Sequence, residues 1–304
     1  MKIVFMGTPD FAVVILEALA KKYDVGLVVS QPNRVRKKGV LIDTSVSKKA
    51  KELKLDLIQP EKIIESYEQI KNVGADVLIT AAYGQYIPTK ILNLFKYTLN
   101  VHASLLPKHR GGAPIQRALI NGDEYSGVSI MKMTKKLDAG LVYAVKKYKI
   151  EPQDNATTLF EKLSYIGKDL LLDCIEDIYN GKNQGVEQDD SLATYSPNIL
   201  PEEEKINLND TSVNIVNKIR GLAMDPGAYI LVNNVKLKIF RALVVDYKGN
   251  EPAGSVIDVK KQIVIKTKDS AISLDLVLLP GKKMMTGRDF ANGQKIFKVN
   301  DVIM

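Results

Sequence analysis

Short apolar runs alternate with amphipathic stretches over the first half of the chain. Residues 2–6, 25–29 and 76–80 read KIVFM, VGLVV and DVLIT, and each run is short enough for a buried strand of a parallel sheet. Between the first two runs, Phe11 and Ile15 follow helical spacing. This alternation predicts an α/β fold with a Rossmann-like, mostly parallel sheet, in which ligands bind beyond the carboxyl ends of the strands.

Other stretches extend this pattern. Alternating polar and apolar positions predict three further strands, at residues 97–102, 126–134 and 141–150. Helical spacing predicts helices at residues 47–53, 63–73, 114–120, 157–179 and 213–222. The first strand is followed by Gly7 alone, whereas a dinucleotide-binding turn needs three glycines, so a nicotinamide cofactor is disfavoured.

The last third of the chain has a different pattern. Five short alternating strands are predicted at residues 228–232, 235–244, 254–259, 262–267 and 271–279. Turn residues at Asn233 and Asn234 separate the first two, and the set suits a small OB-like β-barrel. Residues 190–206 lie in a stretch rich in Pro and acidic residues, which indicates a linker. We therefore expect a catalytic domain at 1–189 and an OB-like domain at 207–304.

Candidate chemistry is concentrated where the strand at 97–102 ends. Asn100 and His102 are two positions apart, so a strand directs both side chains to one face. Pro107, Gly111 and Pro114 then impose loop geometry at the edge of the sheet where ligands bind. An amide and an imidazole side by side suit catalysis, but a structural histidine beside an ordinary strand-end asparagine fits the same spacing.

Several other chemistries and locations are disfavoured by the composition. Two histidines and one cysteine do not supply the usual zinc-ligand spacing, and no metal is expected. Cys174 falls in an apolar helical run, which predicts a buried thiol in a reducing cytosol. His109 lies between Lys108 and Arg110 and is predicted on the loop surface. No apolar run reaches the length of a membrane span and no signal-peptide core opens the chain, so a cytoplasmic location is expected.

The distribution of charge indicates a partner. The net charge is +8, and residues 206–304 hold 15 Lys and Arg against 9 Asp and Glu. A basic domain favours a polyanion such as RNA. A lysine-rich surface that is merely solvated gives the same counts.

A family resemblance becomes specific around the same strand. The motifs are NVH at 100–102, SLLP at 104–107, RGGAPIQ at 110–116 and LDAG at 137–140. Together they resemble the signature of the folate-dependent formyltransferases, and the resemblance extends along the whole chain. It is strongest to the branch of the family that acts on methionyl initiator tRNA.

The resemblance implies an activity and a site. The expected reaction transfers the formyl group of 10-formyltetrahydrofolate to the α-amino group of methionyl initiator tRNA, with Asn100, His102 and Asp138 as catalytic residues. It implies that folate contacts come from Ser104, Leu105, Leu106, Pro107 and Tyr83. It implies that tRNA contacts come from Arg34, Arg36, Lys37, Lys38, Lys282 and Lys283. Two departures from the family pattern fall on this tRNA-facing surface: the cations at 34–38 come early, and the chain has no tryptophan.

Two alternatives remain open at this stage. A formyltransferase acting on a sugar nucleotide or on glycinamide ribonucleotide would show the same Asn, His and Asp, although a free-standing glycinamide enzyme would not need the extra last third. A catalytically silent RNA-binding protein on the same scaffold is the alternative from another class. A monomer is expected for the tRNA-specific enzyme.

Overall fold

The structure is a computed structural model, and it describes residues 1–35, 41–293 and 296–303. The chain divides into two compact units that are each discontinuous in sequence. The first comprises Met1–Pro114, Tyr125–Lys149 and Phe160–Pro197, and the second Ile115–Glu124, Ile150–Leu159 and Asn198–Met304. The expected domain bounds, 1–189 and 207–304 with a linker at 190–206, remain a prediction.

In the part of the chain that the structure describes, the regular elements are strands, helices and three short 3₁₀ turns. The strands are β1 (Lys2–Gly7), β2 (Asp24–Val29), β3 (Arg34–Val35), β4 (Leu41–Ile42), β5 (Leu57–Ile58), β6 (Val77–Ala81), β7 (Tyr97–His102), β8 (Tyr125–Lys132), β9 (Val142–Lys149), β10 (Ala228–Val232), β11 (Val235–Val245), β12 (Val256–Asp258), β13 (Ile263–Lys266), β14 (Ala271–Leu278) and β15 (Met285–Thr286). The helices are α1 (Asp10–Lys22), α2 (Ser45–Glu52), α3 (Tyr67–Asn72), α4 (Thr89–Leu92), α5 (Pro114–Asn121), α6 (Ala156–Tyr179), α7 (Ser212–Leu222) and α8 (Gly287–Gly293). The 3₁₀ turns are Ile63–Ser66, Asp190–Leu192 and Pro201–Glu204.

The first unit is built on a seven-stranded sheet with the order β5-β2-β1-β6-β7-β8-β9. The strands from β5 to β7 are parallel neighbours, and β8 and β9 add an antiparallel edge. All five residues of β6 are buried, as expected for a central strand covered on both faces. This arrangement confirms the predicted Rossmann-like, mostly parallel sheet.

Helix α1 has the apolar spacing that predicts a helix between the first two strands. Its buried residues, Phe11, Ile15 and Leu19 among them, recur every three or four positions and form one apolar stripe. Asp10 lies in the first turn and Lys22 in the last, which complements the helix dipole at both ends. The helix therefore has a face to bury and ends that match its polarity.

The second unit contains a six-stranded antiparallel sheet with the order β10-β11-β14-β13-β12, and β15 pairs with β14. Asn233 and Asn234 have φ angles of 49° and 61° and join β10 to β11 as a two-residue turn of the hairpin kind. A cluster of buried aliphatic side chains packs on the sheet, including Leu237, Ile239 and Ile263. The antiparallel half-barrel confirms the predicted fold class for this part of the chain.

The structure also bears on two other inferences from the sequence, the burial of Cys174 and the lack of an apolar run long enough to span a membrane. Cys174 is buried, as predicted, and burial raises the pKa of its thiol to about 12. Within the described ranges, none of the helices is both long and apolar enough to cross a membrane.

Candidate active site

Strand β7 brings Asn100 and His102 to the carboxyl end of the parallel strands. Asn100 pairs with Thr80 of β6 in the sheet. The Thr80 hydroxyl donates to Asn100 Oδ1 at 2.8 Å, which fixes the side-chain amide. The NH₂ group of the same amide supplies two donors and carries no charge. Asn100 is thus a held, uncharged donor.

The two ring nitrogens of His102 have different partners. Nε2 lies 2.9 Å from the carbonyl oxygen of His109, and a carbonyl only accepts, so Nε2 carries the hydrogen. Nδ1 lies 3.7 Å from Asp138 Oδ2. This distance suits an ion pair and is longer than a hydrogen bond. Nδ1 is therefore the ring nitrogen that remains to exchange a proton, and a carboxylate faces it.

The position of Asp138 depends on two loops. The residue has φ of 46°, in the left-handed region that short polar side chains tolerate better than others. Its Oδ2 accepts a hydrogen bond from the backbone N–H of Gly111 at 2.8 Å. The side chain is only 13% exposed. The structure therefore brings Asp138 to His102 as expected, while the catalytic roles of Asn100, His102 and Asp138 remain predictions.

Gly111 is required where the loop after β7 passes another segment. Its φ is 122°, and a Cβ added there would lie 2.7 Å from the carbonyl oxygen of Ser196. An L-residue would be strained in this conformation and would clash with backbone. Glycine therefore permits the N–H to reach Asp138.

The residues predicted to contact folate fall into two groups. Leu105, Leu106 and Pro107 are half-buried and lie in the loop that follows β7. Ser104 is buried, and its hydroxyl donates to the carbonyl of Lys108 at 2.7 Å. The hydroxyl of Ser104 is thus engaged within the loop, and the role of these four residues in folate binding remains a prediction.

Tyr83 has its side chain in the core of the first unit. It is packed with Val4 and Met6, and its hydroxyl has no hydrogen-bond partner among the residues that the structure describes. Burial raises the pKa of Tyr83 to about 12, so the phenol stays neutral. Its backbone carbonyl accepts from the Thr8 hydroxyl at 2.8 Å. Contact of Tyr83 with folate stays a prediction.

The predicted tRNA-binding residues are only partly described. Lys282 and Lys283 are exposed in the turn between β14 and β15. Arg34 belongs to β3, where its backbone pairs with Ile42 of β4. Three further cations, Arg36, Lys37 and Lys38, lie outside the described residues. Contact of these six residues with tRNA stays a prediction.

The prediction that His109 lies on the surface is wrong. His109 is 8% exposed, and its Nδ1 lies 2.7 Å from the Ser196 hydroxyl. The reason is a chain segment far away in sequence: the backbone of Arg110 exchanges hydrogen bonds with Thr194 and Ser196 at 2.8 and 2.7 Å. The neighbouring charges of Lys108 and Arg110 favour an exposed loop and do not indicate that the segment with Thr194 and Ser196 covers His109.

Sequence reasoning also missed Arg110 and Gln188 as neighbours of the site. The Arg110 guanidinium donates to Gln188 Oε1, and the Gln188 amide donates to backbone carbonyls of the Asp138 loop. The RGGAP motif contained the arginine, but nothing local to Gln188 indicated its role. Among the described residues, no cluster of His, Cys, Asp and Glu side chains could hold a metal ion.

Comparison with known proteins assigns the class. Residues 1–175 match the formyl transferase model, and residues 198–295 match the model of the formyl transferase C-terminal domain. The chain belongs to the formyl transferase family. It is 44% identical over 298 residues to the methionyl-tRNA formyltransferase of Streptococcus pneumoniae serotype 19F (strain G54), a match that covers 96% of this chain and 95% of the relative.

Solved structures share the fold at lower identity. An N-formyltransferase from Helicobacter canadensis, in complex with folinic acid and dTDP-3-aminofucose, matches with a TM-score of 0.69 at 21% identity and covers 90% of this chain and 98% of its own. HypX from Aquifex aeolicus in complex with tetrahydrofolic acid matches with a TM-score of 0.64 at 14% identity. That match covers all of this chain, which spans about half the length of HypX (50%).

Proposed function

We propose that the protein transfers the formyl group of 10-formyltetrahydrofolate to the α-amino group of methionyl initiator tRNA, which gives formylmethionyl-tRNA for translation initiation. The observation that carries the chemistry is the Asp138 carboxylate 3.7 Å from the His102 ring, with Asn100 two residues before His102 on the same strand. The choice of tRNA as acceptor is supported by the full-length relative named methionyl-tRNA formyltransferase.

The residues suit an acyl transfer in which charge develops on an oxygen. A tetrahedral oxyanion needs a fixed donor that adds no charge to the ground state. The Asn100 amide meets this need, because the Thr80 hydroxyl already holds its oxygen at 2.8 Å. We assign to its N–H groups the stabilisation of the oxyanion.

We assign the proton transfers of the reaction to His102, with Asp138 beside it. The attacking amine must lose a proton and the departing nitrogen must gain one, so a group that both accepts and donates is required. Since Nε2 donates to the His109 carbonyl, the exchange is assigned to Nδ1. The carboxylate facing Nδ1 at 3.7 Å stabilises the imidazole while it is charged.

The residues predicted to contact folate also suit that ligand. When bound, 10-formyltetrahydrofolate supplies the formyl group that is transferred. Half-buried Leu105, Leu106 and Pro107 provide apolar surface for a flat ring system beside the strand end. The Ser104 hydroxyl is bonded within its own loop and the Tyr83 side chain lies in the core, so these two residues would support the pocket mainly through the position of their backbone. No resident metal is needed for this chemistry.

The proposal extends to the surroundings of the enzyme. We assign tRNA phosphate contacts to the exposed Lys282 and Lys283, because phosphate binding requires accessible positive charge. The family resemblance extends this assignment to the cations at residues 34–38. A cytoplasmic location and a monomeric state complete the proposal. Fractionation of cells and sedimentation of the purified protein test these two points.

One incubation tests the function against its alternatives. The protein is given 10-formyltetrahydrofolate with initiator methionyl-tRNA, elongator methionyl-tRNA, glycinamide ribonucleotide or a dTDP-amino sugar. We expect formylation of the initiator tRNA at a kcat/KM at least about tenfold above that of the elongator, a difference of about 1.4 kcal/mol. Formylation of a small acceptor without formylation of tRNA would overturn the proposal.

A further inference from the structure

The loop that carries Asp138 needs support from outside itself. A residue other than glycine at φ 46° persists only where its surroundings determine the conformation. The side chain of Asp138 receives one such constraint from the Gly111 N–H at 2.8 Å. A second set of constraints acts on the backbone of the same loop.

Gln188 supplies these backbone constraints. Its Nε2 donates to the carbonyl oxygen of Asp138 at 2.9 Å and to that of Gly140 at 2.7 Å. The Gln188 amide therefore donates both of its hydrogens to the loop that carries Asp138. A hydrogen bond on either side of Ala139 fixes the peptide groups that determine where the Asp138 side chain points.

Gln188 is itself held in one orientation. Its Oε1 accepts from Arg110 Nε at 3.1 Å and from Arg110 Nη2 at 2.8 Å. Turning the amide over would place its NH₂ against a guanidinium and its oxygen against two carbonyls, so only one orientation satisfies both sets of partners. The Arg110 side chain is 0% exposed and pairs with Asp190 at 2.8 Å.

Arg110 also precedes Gly111 in the chain. Gln188 thus ties together the two loops that meet at the carboxylate: the loop that contains Asp138 and the loop whose N–H binds it. A displacement of either loop would change the distance between Asp138 Oδ2 and His102 Nδ1.

We propose that Gln188 is a positioning residue for formyl transfer, which holds the Asp138 carboxylate against the His102 ring. The inference rests on the proposed function. It assigns to Gln188 no contact with either substrate, so its effect passes through Asp138. Misplacement of a catalytic group by about 1 Å can lower a rate by about 100-fold.

The first test replaces the amide by an apolar group of similar length, Gln188→Met. The matched control is Gln184→Met, because among the described residues the exposed Gln184 amide donates only to the carbonyl of Gly181 in its own turn. We expect Gln188→Met to lower kcat by about 10- to 100-fold with KM for both substrates within about twofold. The control should match the wild type.

A double-mutant cycle separates positioning from general weakening of the structure. In an Asp138→Asn background, Gln188→Met should lower kcat by no more than about twofold, since residues that act as a unit are not additive. A decrease in kcat that is the same in both backgrounds would overturn the inference. So would a wild-type kcat in the single variant.

A second variant covers a failure of Gln188→Met to fold. Gln188→Glu keeps an acceptor for Arg110 but removes both donors to the Asp138 loop. It should show the same decrease in kcat, and normal turnover would overturn the inference. The proposed function fails separately, if the wild type does not formylate methionyl-tRNA; in that case the same variants are measured with the acceptor that is formylated.

Discussion

The carboxyl edge of the parallel sheet and the interior of the antiparallel sheet are stabilised in different ways. Around β7, buried positions are occupied by His102, His109 and Arg110, and each side chain is hydrogen-bonded or ion-paired to a specific partner. In the second unit, the buried cluster is built mainly from aliphatic residues such as Ile239 and Ile263. Buried polar groups are costly unless paired, whereas aliphatic burial is favourable wherever the shapes fit.

This difference separates activity from stability. The network around β7 fixes the directions of a few donors and acceptors, so small changes there should affect turnover first. The aliphatic cluster fixes a fold, so changes there should affect the free energy of unfolding first. The following variants test that separation, from the largest expected effect to the smallest.

The largest effect on stability is expected from Ile239→Ala. Ile239 is 0% exposed on β11, and removing a buried aliphatic side chain costs about 2–5 kcal/mol. Urea unfolding should show this decrease, while kcat measured well below the transition stays within about twofold. Leu243→Ala on the same strand is the control, since Leu243 is 58% exposed and should cost under about 0.5 kcal/mol. A large fall in kcat for Ile239→Ala would break the comparison.

An intermediate effect is expected from removing two exposed lysines of the second unit. Replacing Lys282 and Lys283 by Gln should raise KM for tRNA severalfold. It should also reduce the slope of log KM against log salt concentration by about one for each phosphate that the lysines neutralise. Lys260 and Lys261 form a matched exposed pair in the turn between β12 and β13. If both double variants change KM equally, the effect is one of overall charge and the assignment of Lys282 and Lys283 is refuted.

The smallest effect concerns an ion pair of the second unit. Hydrogen bonds from Arg117, and then one from the Leu200 N–H, lower the pKa of Glu203 from 4.5 to about 2. A lowered carboxyl pKa stabilises the fold above 4.5, and that contribution disappears as the pH falls toward about 2. Glu203→Gln should therefore cost about 1 kcal/mol or less at pH 7, because the pair is partly exposed. Urea unfolding at pH about 7 and about 2.5 measures this, and a cost that grew at low pH would contradict it.

The sequence was informative where the cause of structure is local. Alternation predicted the strand at 97–102, which the structure places at Tyr97–His102, and the Asn233–Asn234 turn follows from residues that accept positive φ. Such features need only near neighbours in the chain.

Features that depend on distant segments were not readable in this way. The surface prediction for His109, made from its charged neighbours, is wrong because the residue is covered by Ser196, 87 residues later. Gln188 reaches Asp138 across 50 residues, with no local pattern that marks it. The meeting of His102 and Asp138 was expected only through the family resemblance, since Asp138 by itself fits an ordinary turn.

The most direct test of the account is single-turnover formylation of charged initiator methionyl-tRNA, with 10-formyltetrahydrofolate saturating, by wild-type protein and by His102→Ala. If the ring bonded to the His109 carbonyl moves the proton, the variant should react about 10²–10⁴-fold more slowly while its Kd for tRNA stays within about twofold. Equal single-turnover rates would show that His102 takes no part in the chemical step, and the account of this site would be wrong.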